Sequence, residues 1–431
     1  MSESKDKLHI VIIGGGFAGL NLAKRLDKSR FEVSIIDRNN FHGFPPLFYQ
    51  VASSGLDSAS ISFPLRRELR GRKSRGCRFH IGEVKSIDVS RKVVRTTFEE
   101  IPYDKLVIAA GTTNNFYGNP ELANKVYALK STQEAIRLRN GIISRFERAA
   151  LEHDVEKRRK MLSFVVIGGG PAGVEIAGAL GEMKRYVCPR DYPEIPAEDV
   201  TVNIIEGTDR LLRTMSEKAS ADALRDLDSL MVSVKLNHIM KSYSDNTVYL
   251  EDGTTIYSEM VIWTAGVSGE PLEINGIDGF SRSKGDRIPT DKFCRVTGAD
   301  DVYAIGDIGF VATEEYPLGF PQLAQVAIQQ GQYVAEQINS GKATKPFRYT
   351  DKGSMATIGR NRAVADLGKI HLGGWIAWMA WMMVHLISLL GMRNKLNVLI
   401  NWMWSYFTYN SSLRLLLRPS RLPDRNPEHL P

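Results

Sequence analysis

The sequence lacks paired cysteines, metal-ligand spacings and a strongly one-signed charge, and each absence excludes a class of function. Only three cysteines, Cys77, Cys188 and Cys294, occur in 431 residues, and no two of them form a CxxC pair. We therefore expect free thiols in a reducing compartment, with no disulfide framework and no metal site. The net charge of +7 is modest and dispersed over most of the chain, so nucleic acid is not an expected partner.

Long hydrophobic runs are also scarce until the C-terminal end. Hydrophobic residues make up 43% of the chain and charged residues 24%, which is typical of a globular protein, and the length predicts two or three domains. The polar start MSESKDK precedes no secretory signal pattern. From the missing targeting segment we expect a bacterial protein on the cytoplasmic side. The C-terminal segments favour a membrane surface, so the expected location is the inner membrane.

A strand, a glycine-rich turn and a helix follow one another between Leu8 and Leu26. The apolar run Leu8–Ile13 leads into Gly14-Gly15-Gly16-Phe17-Ala18-Gly19, after which a helical pattern begins. In such turns one glycine permits the tight turn, one lets the backbone approach a pyrophosphate, and one lets helix and strand pack closely. The next apolar run, Val33–Asp37, ends in an acid suited to a ribose hydroxyl. The unit predicts a dinucleotide site; the alternative is a glycine turn that binds nothing.

The same arrangement occurs a second time. Phe164–Ile167 leads into Gly168-Gly169-Gly170-Pro171-Ala172-Gly173 and a predicted helix over Val174–Tyr186, and Val202–Glu206 supplies the second strand with its acid. Two such units predict two dinucleotide sites. Glu206 favours a ribose hydroxyl over a 2′-phosphate, and so NADH over NADPH, although Arg210 nearby weakens that exclusion.

Other patterns predict the elements around these units. Two strands exit through Ala-Gly pairs, at Ala110-Gly111 and Ala265-Gly266, and a third ends in Gly306-Asp307. An apolar loop with two prolines, over residues 41–49, either covers a flat aromatic cofactor or fills a core edge. We also predict short strands at 79–81, 92–97 and 105–109, one helix over 133–156, a hairpin of strands 243–250 and 254–257, and a helix over 323–339.

The C-terminal end favours a membrane surface. Leu372–Met392 is apolar nearly all round and long enough to span a bilayer, but glycines near its ends shorten the effective helix. Leu396–Tyr409 predicts an amphipathic helix with interfacial aromatics and one narrow polar stripe. We favour attachment to one membrane face over a span; a buried helix pair in a dimer is the further alternative. The basic residues that follow are Arg414, Arg418, Arg421 and Arg425.

These motifs resemble the flavoproteins with two dinucleotide-binding domains, and among them the type II NADH dehydrogenases, which are NADH:quinone oxidoreductases that do not pump protons. The paired glycine turns, the Ala-Gly exits and Gly306-Asp307 carry the general likeness. The specific likeness lies in Asn39–Leu56, Gly168–Leu180 and Ala324–Gly331, the last of which is similar to the family's quinone-site motif. The segment Cys188–Asp199 departs from the pattern as an insertion of open role.

The resemblance implies an α/β fold with two Rossmann-like dinucleotide-binding domains, the NADH domain being inserted in the FAD domain, and a C-terminal helical membrane-attachment segment. We assign residues 1–160 to the first part of the FAD domain, 161–285 to the NADH domain, 286–345 to the second part of the FAD domain and 346–431 to membrane association.

The resemblance also implies the site residues. Those expected at FAD are Gly14, Gly16, Ala18, Gly19, Asp37, Arg38, Gln50, Val84, Ala110, Gly111, Asp307, Ala324 and Gln325. Those expected at NADH are Gly168, Gly170, Gly173, Glu175, Glu206, Ala265 and Gly266. Catalytic roles fall to Glu175, as an acid in the first helical turn that orients a carboxamide or relays a proton, and to Gln325 and Gln329, as amide donors to a quinone.

The implied reaction is hydride transfer from NADH to FAD, followed by two-electron reduction of a membrane quinone with two protons. Its expected partners are the quinone, the lipid bilayer surface and a second copy of the chain in a homodimer. His385, Arg393 and Lys395 either flank the quinone entrance or anchor the chain at the interface, and anchoring is the favoured interpretation.

Four alternatives remain. A sulfide:quinone oxidoreductase or a disulfide reductase needs paired redox cysteines, which the sequence does not supply. A ferredoxin or rubredoxin reductase explains both nucleotide units but not the C-terminal membrane segment. An NADH-sensing scaffold that holds FAD structurally does not explain AQVAIQQG.

Overall fold

A computed structural model of the chain describes residues 7–71, 74–342, 345–408 and 413–416. A six-stranded sheet organises the first unit. In spatial order its strands are Arg295–Val296, Ala299–Ala304, Lys105–Ile108, Leu8–Ile13, Phe31–Asp37 and Cys77–Ile81. All neighbours run parallel except the antiparallel edge pair that begins the order. Because both faces are covered, the last four residues of Leu8–Ile13 are all apolar and buried, as expected of a central parallel strand.

Two helices from distant parts of the chain cover one face of this sheet. They are Phe17–Arg25, directly after the first glycine turn, and Ala324–Ser340, which carries AQVAIQQG. Their contact is close because Gly331 faces the backbone of the first helix: a Cβ there would lie 2.4 Å from the Ala18 carbonyl oxygen. The quinone-motif segment is therefore packed directly on the first glycine turn's helix.

Smaller elements complete the first unit. A four-stranded sheet has the order Glu273–Asn275, Val84–Asp88, Val93–Thr96 and Glu100–Pro102. Two-stranded pairs join Phe41–Gly43 to Ser62–Pro64, and Ile288–Pro289 to Gly309–Phe310. Its short helices are Phe48–Ala52 and Leu65–Glu68, whereas the short helix Leu122–Lys125 packs in the second unit.

A five-stranded parallel sheet organises the second unit. Its order is Tyr127–Ala128, Met260–Trp263, Ser163–Ile167, Thr201–Ile205 and Val232–Lys235. Helices Pro171–Glu182 and Glu217–Ser229 pack in this unit, and the strands Met240–Ser244, Thr247–Leu250 and Thr255–Tyr257 form an antiparallel sheet of their own.

The chain passes between the two units along one narrow ribbon. The outgoing strand Thr112–Asn114 pairs antiparallel with the returning strand Val267–Gly269. The predicted domain limit of 161 therefore leaves out the edge strand Tyr127–Ala128 of the second sheet. The predicted limit of 285 takes in Glu273–Asn275, which already pairs in the first unit. The physical reason is that the ribbon, not the glycine turn, marks where the chain changes unit.

A C-terminal unit packs on both nucleotide units. Its antiparallel strands are Ser354–Gly359, Arg362–Leu367 and Ile370–Gly373, and its helices are Gly374–Ser388 and Met392–Thr408. The predicted apolar segment 372–392 is thus divided between a strand, a fifteen-residue helix and a turn. Among the described residues, no helix has both the length and the apolar character that a bilayer crossing needs. Of the predicted basic tail, Arg418, Arg421 and Arg425 lie outside the described residues.

Two predicted elements are divided in the structure. The single helix expected over 133–156 is two helices, Thr132–Ala150 and Val155–Met161, because the Asp154 side chain accepts hydrogen bonds from the first free amides and starts a new helix. The expected strand 243–250 contains a turn at Asp245 and Asn246, which have φ of +48° and +56°. Aspartate and asparagine tolerate this left-handed conformation.

The insertion Cys188–Asp199 is structured. It contains the short helix Cys188–Asp191, and its Asp199 carboxylate is buried between two arginines. The Nε atoms of Arg158 and Arg159 donate to that carboxylate at 2.8 and 2.7 Å. A buried acid with two charged partners fixes the insertion to the helix before the second sheet.

Candidate active site

In the first glycine turn, two of the motif glycines are packed against backbone atoms and the third is not. Gly14 has φ of +103°, and a Cβ there would lie 2.3 Å from the Ala109 carbonyl oxygen, while a Cβ at Gly19 would lie 2.0 Å from the Gly14 oxygen. Gly16 differs, since no atom lies within 4 Å of its Cβ position. Two glycines are therefore required by the protein's own packing, and the third faces a space that a ligand can occupy.

The second glycine turn repeats this geometry. Gly168 has φ of +108°, and a Cβ at Gly173 would lie 1.8 Å from the Gly168 oxygen, whereas Gly170 has no atom within 4 Å of its Cβ position. Both open glycines are helix N-caps without a side-chain cap, and neither helix has an acid in its first turn. Each helix start thus keeps amide groups and a positive dipole end for an anion such as a pyrophosphate.

Both predicted ribose acids are held by their own glycine turn. The Gly15 amide donates to Asp37 at 2.7 Å, and the Gly169 amide donates to Glu206 at 2.6 Å. Thr208 donates a second backbone bond to Glu206, at 2.8 Å. Desolvation raises the pKa of Asp37, against the opposing effect of its backbone hydrogen bonds. The amides orient each carboxylate toward the strand end while leaving further lone pairs for a ribose.

The remaining predicted FAD residues lie on several elements of the first unit. Gly111 has φ of +74° and faces open space, and Asp307 accepts a bond of 3.5 Å from Thr112 Oγ1 and has Lys130 Nζ at 3.8 Å. Arg38 pairs instead with Glu270, at 2.9 Å. The others occupy element ends: Val84 begins a strand, Ala324 begins the quinone-motif helix, Ala110 follows the strand Lys105–Ile108, and Ala18 lies in the first helix.

Sequence reasoning missed Gln330, which is buried beside the predicted Gln329. Its Oε1 accepts the Gly306 amide at 2.6 Å, and this bond joins the quinone-motif helix to the Gly306-Asp307 turn. A buried polar side chain with a backbone partner is a positioning element. Its position inside AQVAIQQG was the available signal.

Tyr117 was missed as well. It stands over the second Ala-Gly exit: its hydroxyl donates to the Ala265 carbonyl at 2.8 Å, and a Cβ at Gly266 would lie 2.3 Å from that hydroxyl. The ring is 62% exposed. An exposed tyrosine at this position gave no sequence signal, because nothing in its neighbourhood follows a motif.

The two predicted quinone-site glutamines lie on one face of their helix, and their amide groups are engaged with a neighbouring segment. Gln329 exchanges two bonds of 2.9 Å with the Thr350 backbone. Gln325 accepts from the Lys352 amide and donates to the Gly353 carbonyl. In the described structure these bonds join the helix to residues 350–353. The Gln329 amide nitrogen has two hydrogens, and the bond to Thr350 uses one of them.

Glu175 lies farther along its helix than predicted. The helix begins at Pro171, so Glu175 occupies the second turn and not the first. Desolvation raises the pKa of its carboxyl well above the ordinary value, and the Thr357 backbone amide opposes that shift only in part. Such a shift favours the protonated carboxyl, which suits a proton relay better than dipole stabilisation.

A cavity of about 130 Å³ adjoins Glu175. It lies where helices Phe48–Ala52 and Pro171–Glu182 meet the C-terminal unit. Its lining includes Tyr49, Gln50, Glu175, Glu182, Arg360 and Trp402.

Comparisons with known proteins agree with this geometry. A profile of the pyridine nucleotide-disulphide oxidoreductase family matches residues 8–331, and a profile of the NDH2 C-terminal domain matches residues 352–409. The chain is 35% identical over 415 residues to the type II NADH:quinone oxidoreductase NdhA of Mycobacterium tuberculosis, which covers 92% of this chain and 87% of that protein. The chain belongs to the type II NADH:quinone oxidoreductases.

Two further relatives extend the comparison. The type II NADH:quinone oxidoreductase Ndh of Mycobacterium tuberculosis is 34% identical over 421 residues, covering 93% of this chain and 88% of that protein. The structure of NDH2 from Plasmodium falciparum in complex with NADH has a TM-score of 0.87, at 20% identity, over 96% of this chain and 100% of that chain. The likeness to that structure shows a shared fold.

The cysteines of this type II oxidoreductase do not form a redox pair. All three are free, and Cys188 and Cys294 are buried. Desolvation raises the pKa of each thiol, for Cys188 to about 11, so the reactive thiolate is disfavoured. The chemistry of a sulfide:quinone oxidoreductase or a disulfide reductase therefore has no thiol pair here.

The predicted interfacial anchors differ in their surroundings. His385 stacks on Trp381 with ring centroids 4.1 Å apart, and desolvation lowers its pKa to about 4. The neutral imidazole is therefore favoured, and interfacial anchoring by this residue stays a prediction. Lys395 donates to the Ile387 carbonyl at 2.6 Å and so stabilises the C-terminal end of helix Gly374–Ser388.

Proposed function

We propose that the chain oxidises NADH and passes two electrons through bound FAD to a membrane quinone, without pumping protons. The observation that carries this proposal is the pair of matching glycine turns, each with one glycine open to a ligand, an uncapped helix start and an acid held by the turn's own amide. Two dinucleotides in one chain supply both a hydride donor and a resident acceptor.

The proposal assigns FAD to the first unit and NADH to the second. The open Gly16 and the uncapped helix would hold the FAD pyrophosphate, with Asp37 at its ribose. Gly170 and Glu206 would do the same for NADH. FAD, when bound, supplies two-electron chemistry that accepts a hydride from NADH and reduces a quinone.

Protein groups supply orientation and protons in this proposal. Glu175, at the end of the cavity, would orient the nicotinamide carboxamide or hold a proton close to the reacting rings. Gln329, with its remaining amide hydrogen, would donate to a quinone carbonyl. Because the two glutamines also join the helix to residues 350–353, the same bonds would keep the quinone side of the site rigid.

We further propose that the two C-terminal helices lie on a lipid surface. The outward face of Met392–Thr408 is apolar, with Met392, Leu396, Ile400, Met403, Trp404 and Phe407 all exposed. The adjacent helix exposes Trp375, Ile376, Met379, Met383, Val384 and Ile387. A continuous apolar surface of this kind requires a nonaqueous partner. The cytoplasmic face of the inner membrane and a homodimer belong to the same proposal.

The experiment uses purified holoenzyme. NADH is expected to bleach the visible flavin band, and a short-chain quinone is expected to restore it. If NADH leaves the flavin oxidised, the oxidoreductase proposal fails. If NADPH bleaches the flavin as well as NADH does, the assignment of Glu206 as a selector is wrong. Sedimentation with vesicles and analytical ultracentrifugation test the lipid surface and the homodimer.

A further inference from the structure

We propose that Glu182 is a second carboxyl of the proton supply to the active site, and that the cavity between Glu182 and Glu175 carries the protons. This inference rests on the proposed function. NADH donates a hydride, which is two electrons and one proton, whereas reduction of a quinone to a quinol takes two electrons and two protons. One further proton per turnover must therefore come from water, and it must reach a site covered by protein.

The two carboxyl groups share one helix face and one cavity. Glu175 and Glu182 are seven residues apart, or nearly two helical turns, so their side chains leave the helix on the same side about 10 Å apart. Both line the cavity, together with Ala179 between them. Each keeps some accessible surface, but protein surrounds both groups, and desolvation raises the pKa of both.

Glu182 is held in this position by the C-terminal unit. Its Oε1 accepts the Arg360 backbone amide at 2.6 Å. Gly359 makes room for it, since a Cβ there would lie 3.0 Å from the same oxygen. The Arg360 side chain continues to the last turn of helix Met392–Thr408, where Nη1 donates to the Tyr406 carbonyl at 2.9 Å. The carboxyl thus stands at the end of the cavity nearest the proposed lipid-facing helix.

Tyr49 lines the same cavity as the two acids. Desolvation and the charges of both Glu175 and Glu182 raise the pKa of its hydroxyl well above the ordinary value. Thr357 also lines this cavity, and its hydroxyl donates to the Arg362 carbonyl at 3.1 Å. The charged or titratable groups facing Glu182 are Glu175, Tyr49, Arg360 and Arg362.

The direction of the Tyr49 hydroxyl follows from its neighbours. Trp402 Nε1 is only a donor, and it donates to Gln50 Oε1 at 2.8 Å, so the amide nitrogen of Gln50 faces the other way. That nitrogen donates to the Tyr49 oxygen at 2.8 Å. The tyrosine oxygen is therefore an acceptor in this bond, which leaves its own proton available for another acceptor.

The proton steps balance without any other reactant. A protonated Glu175 releases its proton toward the reduced quinone. It is then reprotonated from Glu182 through the Tyr49 hydroxyl or cavity water. Glu182 then takes a proton from the solvent. About 130 Å³ is room for several water molecules, enough to bridge the distance between the two carboxyls.

The test separates the two half-reactions in holoenzyme. Glu182→Gln keeps an oxygen for the Arg360 amide, so the fold is retained while the exchangeable proton is lost. We expect NADH to bleach the flavin at the wild-type rate, and quinone to reoxidise it at least about tenfold more slowly, with the loss growing as pH rises. Tyr49→Phe is expected to slow the same half-reaction. Asp226→Asn is the matched control, since desolvation also raises that pKa but the side chain lies outside the cavity lining.

Two further readouts distinguish a proton role from a structural one. Formate is expected to restore part of the quinone rate in Glu182→Ala, because it is a small acid that fits the vacated space. In infrared spectra recorded as the pH is lowered, the carbonyl band that Glu182 contributes is expected to be missing in Glu182→Gln and present in Asp226→Asn.

Each outcome is decisive. Reoxidation of Glu182→Gln at the wild-type rate across pH overturns the inference. Equal slowing of both half-reactions at every pH, without formate rescue, assigns Glu182 a structural role and also overturns it. If wild-type enzyme is not bleached by NADH, the proposed function itself fails, which is a different result.

Discussion

Trp402 and Trp404 stand two residues apart on one helix and face opposite sides. The Trp402 indole donates to Gln50 inside the protein, while the Trp404 ring is 63% exposed. Trp402→Phe leaves the Gln50 oxygen without this donor, and we expect it to destabilise the protein by about 1–3 kcal/mol. Trp404→Phe is the matched control and is expected to change the unfolding free energy little. Denaturant melts compare the two; equal stability would contradict the buried bond.

The open and closed glycines of the first turn predict opposite outcomes. Gly16→Ala puts a methyl group into the proposed pyrophosphate space, so the protein should fold but be purified with little flavin. Gly19→Ala places a Cβ against the Gly14 oxygen and should lower stability even without cofactor. Flavin content and thermal unfolding of flavin-stripped protein measure the two effects. Normal flavin content in folded Gly16→Ala would place the pyrophosphate elsewhere.

Glu206 is expected to select the nucleotide. Glu206→Gln keeps an acceptor for the Gly169 amide but removes the charge that repels a 2′-phosphate. We expect the preference for NADH over NADPH, measured as the ratio of kcat/KM values, to fall about tenfold, which is about 1.4 kcal/mol. Glu217→Gln, an exposed acid of the same unit, is the control. An unchanged ratio would show that Glu206 only supports the turn.

The outward face of helix Met392–Thr408 is expected to bind lipid. Burying one isoleucine side chain contributes about 1.5–3 kcal/mol, so Ile400→Glu should lower vesicle partitioning by at least about tenfold. Leu151→Glu replaces an equally apolar residue, which follows the helix Thr132–Ala150 and is 80% exposed, and should leave partitioning unchanged. Co-sedimentation with anionic vesicles measures both. Equal binding of both variants would remove the lipid surface from this helix.

Acid is expected to loosen the contact between the second and C-terminal units. His371 bridges Asp366 at 2.8 Å and Asp222 at 3.0 Å. Burial opposes ionisation of both carboxyls, but their hydrogen bonds outweigh it and lower both pKa values. A lowered pKa stabilises the folded state above the unfolded value of about 3.9, and this stabilisation is lost as pH falls through the folded value.

Asp366→Asn measures that contribution. It should lower the thermal midpoint at pH 7, and the difference from wild type should shrink as the pH falls below about 4. A difference that stays constant over this range would mean that the carboxylate charge is not responsible. Asp300→Asn, which removes an exposed acid of the first unit, is a control from outside this contact.

Motifs with a fixed local geometry were predictable from sequence. The strand, glycine turn and helix from Leu8 to Leu26 follow from an apolar run and the glycines, and the quinone-motif helix 324–340 lies within a residue of its expected limits. Predictions from hydrophobic periodicity were wrong where a polar side chain favours a helix start or a turn, as at Asp154 and at Asp245-Asn246. Such turns depend on single side chains, which a periodic pattern does not register.

The orientation of the amphipathic helix was not predictable either. Its polar stripe was expected, but the half-buried Asn397 and Asn401 belong to the covered side, and the apolar side is exposed. Periodicity gives the two faces and not which one meets the protein. The cavity was not predictable from the sequence for a related reason. Its lining residues Tyr49, Glu182 and Trp402 are distant in sequence, and only the tertiary fold brings them together.

The narrow ribbon of Thr112–Asn114 and Val267–Gly269 has a consequence for the order in which the protein forms. Because both ends of the second unit emerge side by side, that unit can close on itself as soon as residue 269 has been synthesised. The first unit cannot close at that point, because its central sheet includes the later strand Ala299–Ala304 and its covering helix ends at Ser340. The inserted unit is therefore expected to mature first on the ribosome, and the surrounding unit to complete its core only after enclosing it.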